Sequence, residues 1–116
     1  MKPDPQTDQR LCGLLGMARR AGRLTTGFDA VCALVAKHKA QVVLLASDVS
    51  AKTAKEVRYA AHNGPAVRTL PFDKAAVGQA LGLRKPVGVL ALNDTGFAAA
   101  VKALCSPADP PTIEEE

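Results

Sequence analysis

Apolar residues recur along this chain in two alternating rhythms, one of helices and one of strands. Leu11, Leu14, Leu15 and Ala18 fall on one helical face, and Gly22 follows Arg19 and Arg20 where a C-terminal cap is expected. The short Arg23–Thr26 segment reads as a strand. Thr26-Gly-Phe-Asp29 then has the form of a capping box, with Phe28, Val31, Leu34 and Val35 as the apolar stripe of a second helix that ends near Lys37–Lys39. Val42–Ala46 is an uninterrupted apolar run, the pattern of a strand covered on both faces, so it belongs in the middle of a sheet.

Ser50 is placed to cap a third helix that buries Ala54, Val57 and Ala61, exposes Lys52, Lys55 and Glu56, and stops at Asn63-Gly64-Pro65. Val67–Leu70 reads as a third strand, and Pro71-Phe-Asp73 opens a fourth helix carrying Ala76, Val77, Ala80 and Leu81. Gly82 ends that helix ahead of the loop Leu83-Arg-Lys-Pro86. Val87–Leu92 is the second fully apolar strand, and Asn93 or Asp94 caps a last helix with Phe97, Val101 and Leu104 inside. Strict alternation of helices with apolar strands predicts an α/β fold, a three-layer α/β/α sandwich. The pattern leaves strand order open.

Proline and charge set the expected limits of the domain. Residues 1–8 and 106–116 hold five of the eight prolines, and the chain ends in three glutamates. Both read as flexible tails, the second one acidic, around a domain over 9–105. At 116 residues, 47% hydrophobic and 22% charged, the sequence can bury one core, and no apolar run nears the ~20 residues that cross a bilayer. The segment MKPDPQTDQR lacks the apolar stretch of a secretory signal, which points to a cytoplasmic protein.

The net charge of +4 understates how basic the body is. From Arg10 to Lys85 there are 13 Lys or Arg against four acids, while the segment from Pro86 onward is acidic. A basic body implies a polyanionic partner, because Lys and Arg that displace counterions from phosphates supply affinity without reading sequence. RNA, DNA and an acidic protein all qualify.

Several chemistries lack their residues. Cys12, Cys32 and Cys105 are widely spaced among Leu, Val and Ala, which suits small buried side chains better than disulfides, zinc or a nucleophile. His38 and His62 stand at helix ends without the spaced companions of a metal site. No phosphate-binding glycine motif or nucleophile elbow occurs, and no cofactor is implied. Ser47-Asp48 follows a central strand at the edge where open α/β sheets place ligands, yet Asp48 has no partner base or second carboxylate. Capping the turn into the third helix or bonding its own backbone is the more economical role for it. With four aromatic residues, Phe28, Tyr59, Phe72 and Phe97, the chain also lacks the rings of a base-stacking sheet platform. Phe28 lies in the helical stripe, which favours core packing for its ring.

The most distinctive stretch is Leu15–Val31, where Arg19, Arg20 and Arg23 lead through Thr26 into Gly27 at a helix start. Backbone amides point outward there, and the helix field attracts phosphate. This stretch, Val42–Ser50 and the Leu81–Val89 segment occur in the order found in the kink-turn RNA-binding family of ribosomal proteins L7Ae and L30e. The chain resembles that family over roughly residues 9–105, most closely its small bacterial YlxQ-like branch. The resemblance implies a four-stranded mixed sheet, no catalysis, and a structured RNA partner, with ribosome or ribonucleoprotein association. It also implies two contact regions.

One is the family's Gly-x-Asn-Glu-x-x-Lys motif at the second helix, whose glycine matches Gly27 and whose next residue is Phe28. The sequence departs from the motif after that, with Asp29, Ala30 and Ala33 at the Asn, Glu and Lys positions. A carboxylate at 29 still accepts from a guanine edge, whereas the lost lysine weakens phosphate affinity and the lost glutamate relaxes selectivity. The second region is the loop before the last strand, which maps to Leu83, Arg84, Lys85, Pro86 and Val87. Leu83 and Val87 are expected to cover a base face, Arg84 and Lys85 to hold phosphates, and Lys37 to add charge nearby. The alternatives on the same fold are a protein-interaction module and, behind it, a small enzyme using Asp48.

Overall fold

The two apolar runs are the inner strands of one sheet, and they pair with each other. The computed structural model describes residues 5–62 and 64–105. Its elements run α1 (Pro5–Arg20), β1 (Leu24–Thr26), α2 (Phe28–Ala36), β2 (Val42–Leu45), α3 (Ala51–Ala60), β3 (Ala66–Thr69), α4 (Lys74–Ala80), β4 (Val89–Leu92) and α5 (Thr95–Leu104). The sheet order is β1-β4-β2-β3. β4 runs antiparallel to both β1 and β2, with Leu24 opposite Leu92 and Val43 opposite Ala91, and β2 runs parallel to β3 with Val42 opposite Ala66. The sheet is therefore mixed and four-stranded.

All residues of β2 and β4 are buried, and their side chains alternate between two cores. Val42, Leu44, Leu90 and Leu92 pack with Leu11, Leu15, Val77 and Val101, so α1, α4 and α5 cover one face. Val43, Leu45, Val89 and Ala91 pack with Val31 and Val57, so α2 and α3 cover the other. Each such buried Val or Leu side chain contributes about 1.5–3 kcal/mol of transfer free energy.

Three helix starts carry side-chain caps. The Ser50 hydroxyl accepts from the Thr53 N–H, and the Asp73 and Asp94 carboxylates accept from the Ala76 and Phe97 N–H groups. Asp94, not Asn93, is thus the last cap. The first helix begins earlier than expected. Residues 5–8 belong to α1 rather than to a tail over 1–8, because a proline at the first helical position loses no hydrogen bond and its fixed φ suits the helix. Residues 1–4 and the expected acidic tail over 106–116 lie outside the described residues.

The loop before β4 is fixed by α4. Leu83 N–H donates to Gly78 O at 2.8 Å, and Val87 N–H donates to Lys74 O at 3.0 Å. A Cβ on Gly78 would stand 2.1 Å from Lys85 O, so the helix and loop backbones touch only because residue 78 has no side chain. Gly78→Ala is expected to lower unfolding stability by about 1–3 kcal/mol, read as a reduced urea midpoint with an unchanged slope.

Candidate functional site

Gly27 converts strand into helix within one residue. Its N–H donates to Val89 O and its carbonyl accepts from Val31 N–H, both at 2.9 Å, so one residue closes the sheet edge and opens α2. The conformation, φ 98° and ψ 143°, lies where residues with a Cβ are strained, while the space beside it is open. A glycine is thus demanded by the backbone alone.

The capping box expected over Thr26–Asp29 is not formed. Thr26 is held in the β1–β4 ladder opposite Leu90, the cap position falls on Gly27, and no side chain caps the helix. Among the described residues, no acceptor meets the N–H groups of Phe28, Asp29 and Ala30. Asp29 is exposed on this first turn. α2 therefore presents unsatisfied donors and the positive end of its dipole to the surface.

Antiparallel pairing of β2 with β4 brings the end of β2 beside the start of β4. A groove of about 310 Å³ lies at that end of the sheet. Thr26, Gly27 and Phe28 form one wall, and Lys85, Pro86, Val87, Gly88 and Val89 form another. Val49, Ser50 and Thr53 at the start of α3, with Lys74 at the start of α4, complete it. The lining carries two cations and no carboxylate. The two segments that the sequence singled out, the Gly27 turn and the loop before β4, thus share one groove.

Asp48 has a structural task. Its carboxylate accepts from the Lys74 N–H at 2.8 Å, tying the loop after β2 to the first turn of α4. It serves the fourth helix, not the third as expected, because β2 runs parallel to β3, which leads into α4, and the two strands end side by side. Among the described residues no three His, Cys, Asp or Glu side chains gather as a metal site. Nor is any described helix long and apolar enough to cross a membrane.

A family model for the ribosomal protein L7Ae/L30e/S12e/Gadd45 family matches residues 9–102. The chain belongs to this family. Among its relatives is an RNA-binding protein YlxQ of Enterococcus faecium, 34% identical over 96 residues, which covers 83% of this chain and 91% of the relative. The RNA-binding protein YlxQ of Bacillus subtilis is 34% identical over 85 residues, 73% of this chain and 84% of the relative. A protein of unknown function from Bacillus halodurans has a similar solved structure, with TM-score 0.74 and 30% identity over 81% of this chain and 94% of that one. The Giardia lamblia 15.5kD RNA binding protein shares the fold at TM-score 0.71 and 17% identity, covering 87% and 92% of the two chains.

Within this family fold, the residues singled out from sequence divide into two sets. Thr26, Gly27, Phe28, Lys85, Pro86 and Val87 line the groove, and Asp29 adjoins it. Arg19, Arg20 and Arg23 do not. Arg23 O accepts from Asn93 N–H past the far end of β4, four strand residues from Gly27, or about 13 Å at the rise of a strand. Arg19 and Arg20 end α1 on that same far side. Lys37 caps the C-terminus of α2, about 15 Å along the helix from Gly27.

The loop is also rearranged relative to expectation. Leu83 is half-buried against the core and, like the exposed Arg84, is not among the residues that line the groove. Val87 lines the groove but is only 5% exposed. Phe28 departs in the other direction: it is 36% exposed and borders the groove, because a residue in the first turn lies beyond the part of α2 that faces the sheet. Sequence reasoning missed Val49, Thr53, Lys74 and Gly88 as groove residues and saw Ser50 only as a cap. Their one shared signal is position next to an apolar strand or in the first turn of a helix, which acquires meaning only when the strand order is known.

Burial raises the thiol pKa of all three cysteines. Desolvation leads for Cys12 and Cys32, reinforced by Asp8 for the first and by Asp29 and Glu56 for the second. Cys105 is pushed up to about 11 by burial, with Arg68 opposing. At pH 8 on the order of one Cys105 in a thousand is thiolate, so in the native protein it should alkylate at least a hundredfold more slowly than in urea, as followed by mass spectrometry. Asp48→Ala should cost about 1 kcal/mol of stability and Asp48→Asn less, since the amide oxygen still accepts from Lys74 N–H.

Proposed function

We propose that this protein binds structured RNA without catalysing a reaction, in the groove between the first turn of α2 and the loop before β4. The observation that carries this reading is the convergence of the uncapped start of α2, at Gly27 and Phe28, with Lys74 and Lys85 in one groove that has no carboxylate in its lining. Amides at a helix start and lysines suit phosphate and base edges, and Pro86 with the rim of Val87 offers an apolar bed for a base. The YlxQ relatives, named as RNA-binding proteins, support the same reading. So does the fit of Asp48 to a structural role in place of a catalytic one. A cytoplasmic setting and association with ribosomal or other ribonucleoprotein RNA follow from it.

Selectivity for kink-turns is expected to be present but relaxed. Asp29 accepts from guanine N–H groups, while Ala30 and Ala33 add no contact at the two positions where the family motif has Glu and Lys. Arg19, Arg20, Arg23 and Lys37, at the opposite end of the sheet, act as distant attractors of a polyanion.

These roles separate in a salt titration. A kink-turn RNA should bind about tenfold or more tightly than a plain duplex of equal length at fixed salt, and equal weak binding to both removes the groove as a specific site. Lys74→Ala and Lys85→Ala should each weaken kink-turn binding and reduce the slope of log affinity against log salt by about one. Joint replacement of Arg19, Arg20 and Arg23 should weaken both RNAs alike and leave their ratio unchanged.

A further inference from the structure

Phe28 borders two surfaces. Besides the groove, it lines a shallow depression of about 580 Å³ shared with Lys52, Lys55, Glu56 and Tyr59. On α3, residues 52, 55, 56 and 59 follow helical spacing and fall on one face. Tyr59 is 83% exposed, so the fold makes almost no use of its ring, and Phe28 is the other aromatic with a large open surface. Single exposed rings are ordinary on a protein surface. Two rings around one depression, flanked by two lysines against one glutamate and sharing Phe28 with a groove that is itself cationic, call for a ligand with flat faces and negative charge.

We infer that Phe28 and Tyr59 form a stacking site for one or two unpaired nucleotides of an RNA strand continuing out of the groove across α3, with Lys52 and Lys55 on its phosphates. The inference rests on the reading of the groove as an RNA site, and it extends the footprint to the α2–α3 face. Every base has a π-face, so such a site takes single-stranded RNA of any sequence, and a stacked base is worth roughly a tenfold gain in affinity. The rings stand on two helices rather than on adjacent strands, so the site differs from a sheet platform.

Tyr59 is the sole tyrosine and the chain has no tryptophan, which makes its fluorescence a direct report on stacking. The full-length protein is titrated with a blunt-ended kink-turn RNA, with the same RNA carrying three unpaired uridines at either end, and with an oligouridine alone. One of the extended RNAs should bind about tenfold tighter than the blunt RNA and quench the tyrosine emission. Tyr59→Ala should abolish that advantage without changing affinity for the blunt RNA, and Tyr59→Phe should keep it. Phe28→Ala is expected to reduce both, as it borders both surfaces.

Equal affinity for blunt and extended RNAs with unquenched emission overturns the stacking site and leaves the groove standing. Quenching by oligouridine without preference for the kink-turn over a plain duplex keeps the stacking site and overturns the groove. Failure of every RNA to bind overturns both. A wild-type advantage that survives in Tyr59→Ala assigns the extension to other residues and also overturns the inference.

Discussion

The antiparallel pairing of β2 with β4 is the constraint on which the rest of this molecule depends. Both strands are buried on both faces, so neither can occupy an edge, and their alternate side chains must fill two separate cores. That requirement puts three helices on one face and two on the other. It also sets the end of β2 and the start of β4 side by side, with Leu45 opposite Val89. Whatever follows the one and precedes the other then lies at one end of the sheet. The turn into α3 and the loop from α4 are neighbours for this reason, although about 35 residues separate them in the chain.

Two glycines make that end usable, in different ways. Gly27 supplies a backbone angle that lets β1 hand over directly to α2, leaving no side chain at the cap position and three amides without acceptors. Gly78 supplies room, because α4 meets the carbonyl of Lys85 where a methyl would stand. The first exposes donors and the second holds the opposing loop at a fixed distance, clamped further by the Lys74 carbonyl and, through Lys74 N–H, by Asp48. The groove is therefore bounded by backbone whose position is set by packing, which lowers the ordering entropy that binding has to overcome.

Local pattern accounted for most of the fold and for only part of the site. Apolar runs identified β2 and β4, and the Ser50, Asp73 and Asp94 positions marked helix starts, because these signals act within four or five residues. α1 starts inside the expected tail because Pro5, one of the prolines that mark that segment as flexible, suits the first helical position. Thr26 and Asp29 had capping-box spacing, but the sheet claimed Thr26. Leu83 and Phe28 differ from expectation in burial, in opposite directions. A leucine in a polar loop packs half-buried against the core, and a phenylalanine on an apolar stripe stands at the rim, since burial depends on which elements cover a position rather than on its neighbours in sequence. Lys74 and Thr53 gave no local sign, because their place in the groove exists only through strand order.

The arginines show the same principle with functional weight. Arg19, Arg20 and Arg23 stand close to Gly27 in sequence, and three residues of β1 are enough to carry them to the other end of the sheet. The cations beside Gly27 come instead from Lys74 and Lys85, far away in sequence and near in space. This relocation bears on the family motif. With alanine at 33 and a carboxylate at 29, the first turns of α2 carry no cation of their own, so the attraction for phosphate at this helix start is supplied by its dipole and by α4 and its following loop. On the proposed reading, affinity for phosphate and selectivity at the base edge reside on different elements. Changes in Asp29 would then alter which RNA is bound with little effect on salt dependence, and changes in the two lysines would do the reverse.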